Sequence, residues 1–331
     1  MQLQNRRSFL SGIAAASAAG LIGASTSSRA EAPPETTVIR LPAAPGSCTV
    51  PLYVAEELLY GEGFTEVRYL PTAHVSSPSM LADGIVDFDL EDGFDYLPVI
   101  DAGKRLTLLS GVHVGCFELR AHDSISSVTE LRGKKVGITA LGGAEHLFTA
   151  AIAAYVGLNP ATEINWVTDP ATSQADLFAR GDIDAFVGFP PNPAQPCERK
   201  LGHTLVNMAR DPPWSRYFCC MVAANADFVR QHPVATKRAL RALLKATDIC
   251  NQEPERAARR MAERGFSYEC ALMTLNDARY GLWREYDPAD AVRFFTLRLH
   301  EAGMIKLTPN EVIAKFTDWR FLNELKRELK T

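Results

Sequence analysis

VGITALGGAEHLF, residues 136–148, is a short apolar run that turns through two glycines into a helix-forming stretch. It reads as one strand-to-helix unit, and the fold class depends on whether its neighbours repeat it. The turn matches neither common phosphate loop. The dinucleotide fingerprint needs G-x-G-x-x-G and the Walker loop G-x-x-x-x-G-K-[ST], whereas Gly142-Gly143 is followed by Ala144, Glu145 and His146. Nucleotide binding is therefore disfavoured. Glycines still let a ligand come close to the backbone, and the first amides of a helix have no partner within it. The turn is either a plain connection or a contact for a small ligand.

Working outward, strands are expected at 37–41, 64–70, 85–90 and 106–112, with helices at 50–60, 76–83 and 94–102 between them. A second series places strands at 136–139, 164–167 and 185–188, with helices at 145–155 and 173–179. Such alternation is the signature of an α/β fold in which a mainly parallel sheet is covered by helices. The proline-rich break PPNPAQP (190–196) follows. From residue 232 the pattern turns helical, over 234–250, 255–264, 289–302, 309–316 and 319–329. Two sheet-bearing lobes with a helical tail account for a length that exceeds one usual core.

The N-terminus reads as a leader. NRRSFL (5–10) sets two arginines ahead of a small-residue apolar run, in the order of a twin-arginine export signal, and SRA or AEA (28–32) suits a signal peptidase. The run is too short and alanine-rich to span a membrane. Removing residues 1–32 takes away three arginines and one glutamate, so the formal charge moves from −4 to −6 and 299 residues remain. This mildly acidic chain has no basic patch for nucleic acid. Seven cysteines stand at 48, 116, 197, 219, 220, 250 and 270. They lack C-x-x-C spacing, are odd in number, and would have crossed the membrane already folded from a reducing cytosol, which argues against a disulfide framework.

Three motifs carry a resemblance. LADGIVD (81–87), TELRGKKVG (129–137) and FARGDIDAF (178–186) stand in order along the chain. They resemble those of the periplasmic solute-binding proteins of ABC importers for nitrate, alkylsulfonates, taurine and thiamine pyrimidines. The resemblance implies a two-lobed periplasmic-binding-protein fold of type II: residues 33–122 and 222–331 as lobe 1 with the helical tail, and 123–221 as lobe 2. It implies a small polar solute trapped by hinge closure, then delivered to an inner-membrane permease and its ATPase by a monomeric receptor without cofactor. A ligand-sensing receptor and a thiamine-pyrimidine-synthase-like enzyme are the alternatives. By the same matching the cleft is lined by Gly46, Ser47, Cys48, Glu91, Asp92, His113, Cys116, Gly142, Gly143, Ala144, Glu145, Phe189 and Pro190, with Tyr217 and Phe218 on the returning segment.

These residues depart from a pure anion site. Nitrate or sulfonate calls for Lys, Arg or dense donors, whereas Glu91, Asp92 and Glu145 are acidic and favour a ligand bearing N–H groups, an amino-heterocycle or a zwitterion. Glu145 is equally placed to cap its own helix, and Asp92 is also an ordinary turn acid before Gly93. Tyr217 and Phe218, with Trp214 and Arg216 beside them, are an aromatic wall or lobe core. Cys48, His113, Cys116, His146, Cys219 and Cys220 are of metal-ligating type, but their spacing supports no metal site, and adjacent Cys219-Cys220 read as buried thiols. No G-x-S-x-G or H-E-x-x-H motif suggests catalysis, and Asp182 and Asp184 belong to a strand start. If residues 1–32 are a twin-arginine leader, replacing Arg6 and Arg7 together by lysine leaves the protein in the cytosol, as fractionation and immunoblotting would show; continued export would mean another route.

Overall fold

The computed structural model describes residues 31–43, 49–72, 76–169, 171–188 and 201–329. The twin-arginine leader, Gly46, Ser47, Cys48, Phe189, Pro190 and the proline-rich break lie outside them. The chain divides at Pro33, and the compact unit 34–331 carries the elements that follow. β1 (Val38–Ala43), α1 (Val50–Gly61), β2 (Glu66–Pro71), α2 (Ser77–Ala82), β3 (Phe88–Asp92), α3 (Tyr96–Asp101) and β4 (Leu106–His113) come first. Next are β5 (Glu118–Ala121), β6 (Lys135–Gly137), α4 (Ala144–Tyr155), β7 (Asn165–Val167), α5 (Gln174–Ala179), β8 (Ala185–Gly188) and β9 (His203–Asn207). β10 (Cys220–Asn225) leads into α6 (Ala226–Gln231), α7 (Pro233–Gln252), α8 (Pro254–Ala262), α9 (Tyr268–Asp277), α10 (Pro288–Glu301), α11 (Pro309–Phe316) and α12 (Arg320–Glu328).

Each strand and helix expected from the sequence has a counterpart, while β5, β9, β10, α6 and α9 were not expected. One shift matters for the site. β3 begins and ends later than its apolar pattern suggests, so Glu91 and Asp92 are its last residues rather than a following loop.

The second sheet runs β7-β6-β8-β5-β9. β6 pairs parallel with β7 and β8, and β5 antiparallel with β8 and β9. In the first half, β1 pairs parallel with β2, and β10 lies antiparallel between β3 and β4. The two groups are joined where the Asp87 amide donates to the Arg40 carbonyl at 2.8 Å. Read across, β2-β1-β3-β10-β4 repeats the order of the second sheet. In each, the fourth strand is the antiparallel one and comes from a connection between the lobes: β5 as the chain enters the second, β10 as it returns to the first.

Both LADGIVD and FARGDIDAF close the same local device. α2 ends at Gly84 and α5 at Gly181, whose φ values of +71° and +77° cost a side-chain-bearing residue more than glycine. The amides of Ile85 and Asp182 reach back to Met80 and Leu177, both at 2.9 Å, completing the left-handed helix end of a Schellman turn. Three residues past each glycine stands an aspartate that grips the first strand of its lobe. Asp87 accepts from the Arg40 amide at 2.8 Å, and Asp184 accepts from the Lys135 amide at 2.8 Å. The Asp184 amide returns a bond to the Lys135 carbonyl, also at 2.8 Å. Asp87 further pairs with the Arg40 guanidinium, whose Nη2 is 2.5 Å away.

Helices of the tail clasp α1. Arg241 pairs with Glu62 at 2.6 Å and Arg260 with Glu56 at 3.0 Å, and Lys237 ties α7 to α12 through Glu328 at 2.5 Å. The tail is not confined to the first lobe, however. α10 packs on α4 of the second, where Phe294 and Phe295 meet Trp214 and so join Phe148, Phe117 and Phe94 in one aromatic cluster. The buried core is accordingly continuous from one lobe into the other. Among the described cysteines Cys250 is a buried free thiol, whereas Cys270 is disulfide-bonded, contrary to the expectation of no bridge. Spacing rules see only near neighbours and cannot exclude a bridge closed by the fold.

Asp87→Ala and Asp184→Ala should each lower unfolding free energy by about 1.5–3 kcal/mol, the usual worth of hydrogen bonds to a charged group. Asp83→Ala, which breaks only an exposed pair with Lys104, should cost less than about 1 kcal/mol in the same denaturant titration.

Candidate functional site

Three strands of the first sheet share one edge: β3 and β4 end there, and β10 begins. Cys220 lies in register with Asp92 on one side and His113 on the other. The ladder extends one step further, with the Cys219 amide donating to His113 and its carbonyl accepting from Gly93. In a regular strand, adjacent residues face opposite ways. Here a register shift follows Cys220, and Cys219 stands just outside the strand, so both thiols turn to the same oxygen. Cys219 and Cys220 donate to Asp92 Oδ1 at 3.0 and 3.1 Å. Cys116, on the connection leaving β4, brings its sulfur to 3.5 Å from that of Cys220 and 3.8 Å from His113 Nε2. Asp92, His113, Cys116, Cys219 and Cys220 are all buried.

Beside the thiols lies a group of carboxyls. Asp89 is wholly buried, and neither of its carboxylate oxygens makes a hydrogen bond of good geometry; one oxygen of Asp95 is likewise unmatched. Glu91 accepts from Ser77 Oγ at 3.3 Å and from the Asp92 amide at 3.2 Å. Burial pushes Asp89 up to about 7, against the lowering effect of Ser77, the Leu90 amide and Tyr96. It pushes Glu91 well above the carboxylate range, with the charges of Asp92, Asp89 and Asp95 adding to the effect. Asp95 is raised in the same way, first by burial and then by Asp92, Asp89 and Glu145. After burial, the causes that raise Glu91 and Asp95 are the charges of neighbouring carboxyls.

The influence of Glu145 on Asp95 brings the Gly142–Glu145 turn near this edge. Ring contact of Phe148, one turn into α4, with Phe94 does the same. Within the turn the Glu145 carboxylate accepts from the Thr139 amide and hydroxyl, at 2.5 and 2.9 Å. The Gly142 amide donates to His146 Nδ1 at 2.8 Å, and burial holds that imidazole below its ordinary pKa. His146 is therefore not turned to solvent. Gly143 is the N-cap of α4 and supplies no side-chain cap, so amides of the first turn, beginning at Ala144, remain for solvent or a ligand.

The structure thus gathers Glu91, Asp92, His113 and Cys116, and sets Gly142, Gly143, Ala144 and Glu145 close to them. It places Tyr217 and Phe218 elsewhere. Tyr217 stacks on Phe294 at 4.1 Å, and Phe218 is buried over Gly111, where a β-carbon would lie 2.0 Å from its ring. Phe218 is thus enclosed by packing, whereas Tyr217 stays half-buried. Asp89, Asp95, Cys219 and Cys220 are additions to the expected set. The acids were legible only as an excess of negative residues around 87–95. The pair of thiols was legible only as adjacent cysteines. Two groups have metal-ligating geometry among the described residues: Asp92 with Cys116, Cys219 and Cys220, and Asp92 with Glu91 and Asp95.

The Asp89 carboxyl, ordinarily near 3.8, keeps its proton in the folded chain up to about 7. The folded state therefore holds a proton that the unfolded chain releases between those values, and its stabilising share, complete below the lower one, is lost as pH rises through the upper. Asp89→Asn should raise the melting temperature by several degrees near pH 8 and by much less near pH 5, flattening its pH dependence.

Residues 118–264 match the model of the NMT1-like family. No protein of curated function matches the sequence. Among solved structures, the periplasmic nitrate-binding protein NrtA from Synechocystis PCC 6803 is similar with a TM-score of 0.71, at 17% identity over 90% of each chain. The periplasmic aliphatic sulphonate binding protein SsuA from Escherichia coli gives 0.60, at 17% identity over 86% of this chain and 91% of that one. The desulfurization enzyme DSZB gives 0.57, at 15% identity over 88% and 99%. The stretch 118–264 is thus NMT1-like in sequence, and the described unit has the two-lobed fold of periplasmic binding proteins.

Proposed function

We propose that this chain is the solute-binding component of an ABC importer, exported to the periplasm by the twin-arginine route. Its two lobes close over a small solute rich in N–H donors. An amino-heterocycle or a zwitterion fits, and the closed form then docks as a monomer on an inner-membrane permease. The observation that carries the reading is the group of carboxyls in which Asp89 is buried and Glu91 and Asp95 are half-buried beside it, each raised by desolvation. Nitrate or a sulfonate would add negative charge to that group; a ligand with amino or amidine-like groups would give its oxygens donors. The uncapped first turn of α4 then suits an acceptor or acid group at the other end of the ligand. Closure follows only from a higher affinity for the closed state.

The reading is of a receptor, not an enzyme. The fold supports catalysis in DSZB, so fold alone does not decide. The thiol of Cys116 and the imidazole of His113 are both buried.

The test is calorimetry on mature protein stripped of endogenous ligand by unfolding and refolding. Aminopyrimidines and zwitterionic amino acids should bind and be recovered unchanged, while nitrate and alkanesulfonates give no heat. Tight binding of either anion would overturn the solute assignment, and turnover of a ligand would overturn the receptor assignment. Glu91→Gln should weaken the productive ligand by about 1–3 kcal/mol without lowering the melting temperature of the free protein.

A further inference from the structure

We propose that Cys116, Cys219, Cys220 and Asp92 form a binding site for a thiophilic divalent cation, with zinc as the best fit. Their four ligand atoms lie within 4.8 Å of one another, and all four residues are buried. A tetrahedral zinc with bonds of about 2.3 Å to sulfur and 2.0–2.2 Å to oxygen has S···S edges of about 3.8 Å and S···O edges of about 3.5 Å. The corresponding separations here are 3.5 Å between Cys116 and Cys220, and 3.0 and 3.1 Å from Asp92 to Cys219 and Cys220. Opening the group by about 0.3–0.5 Å per edge would admit the ion.

Ordinary core cysteines pack as small apolar side chains. These three converge on a carboxylate that is costly to enclose, and a cation at the centre would offset that cost. On binding, each coordinating thiol gives its proton to solvent, and the three sulfurs with the carboxylate complete a four-coordinate shell. His113, whose ring stands 3.8 Å behind the Cys116 sulfur and packs on Tyr280, is placed as an outer partner that orients the ligand.

The ligands come from three segments that meet only in the fold: the end of β3, the connection leaving β4, and the start of β10. Two of these are the chain's passages between the lobes, so the ion would pin both at the same strand edge. The site does not depend on which solute occupies the cleft.

The experiment uses the whole mature protein, purified anaerobically without chelator and analysed for metal by mass spectrometry. Zinc is then removed and cobalt added. The expected result is about one equivalent of zinc per chain, replaced by cobalt with a thiolate-to-metal charge-transfer band and tetrahedral visible bands. Cys220→Ser should abolish that band and Cys250→Ser should leave it intact. Should Cys220→Ser fail to fold by circular dichroism, Asp92→Asn serves in its place. It should weaken cobalt binding roughly tenfold or more without changing the melting temperature of metal-free protein. Free, titratable thiols with no cobalt–thiolate band would overturn the proposal. So would a Cys116–Cys220 disulfide in protein taken directly from cells, because the ligand set would then be consumed.

Discussion

The architecture depends on a backbone clamp used twice. In each lobe a helix ends at a left-handed glycine, and three residues later an aspartate binds the amide of one residue in the lobe's first strand. Its own amide donates to the carbonyl of that same residue. A two-point grip of this kind fixes register as well as proximity, because a one-residue slip would turn every side chain of the strand to the other face. The grip is not equally strong in the two lobes. Asp87 is buried and has the Arg40 guanidinium as well, whereas Asp184 is only partly covered and holds the backbone alone.

With register fixed, the ends of β3, β4 and β10 have to coincide, and that coincidence makes the site. β3 carries its apolar residues through Leu90 and then presents Glu91 and Asp92 where the sheet stops. β10 enters from the other lobe with Cys219 and Cys220, its register shift turning two consecutive side chains to one oxygen. Asp95 follows in the turn, its amide bonded to the Asp92 carbonyl. Sheet edges of this kind are where α/β folds bind ligands, because loops there can diverge without disturbing the ladder. The unusual feature here is the company of several carboxyls and three buried thiols at one strand edge.

How much of this could be read from the sequence follows from the range of the forces involved. Helix ends and strand starts are local: LADGIVD and FARGDIDAF contain their own turn chemistry, and the elements around them were legible within a few residues. β10 was not. CMVAAN is short, apolar on both faces and without alternation, since it is buried between two strands, and such a run has no period to detect. β5 hides for the opposite reason, with Glu118 and Arg120 on one face of a four-residue strand. The sequence leads Glu91 and Asp92 to be expected in the cleft, but the two-residue later end of β3 and the burial of Asp89 are not predictable from pattern. The thiol cluster was dismissed on spacing, which is the right rule for ligands on one loop and uninformative for ligands on three. Tyr217 and Phe218 were ambiguous because an aromatic pair looks the same in sequence whether it lines a cleft or fills a core.

Asp89 and one oxygen of Asp95, which lack well-formed hydrogen bonds, reduce stability, and the fold has to supply the difference nearby. The aromatic cluster does so at the point where the two connections cross. Phe94 follows directly from the acidic strand end, Phe117 stands on the outgoing connection, Trp214 precedes the returning strand, and Phe148 belongs to α4. Large rings bury the most apolar surface per residue and hold their neighbours through edge and offset contacts. α10, arriving from the tail, closes the cluster with Phe294 and Phe295. The tail is therefore not an appendage of the first lobe. It completes the core beside the strand edge that carries Asp89 and Asp95, with Phe295 packed on Phe94 between them.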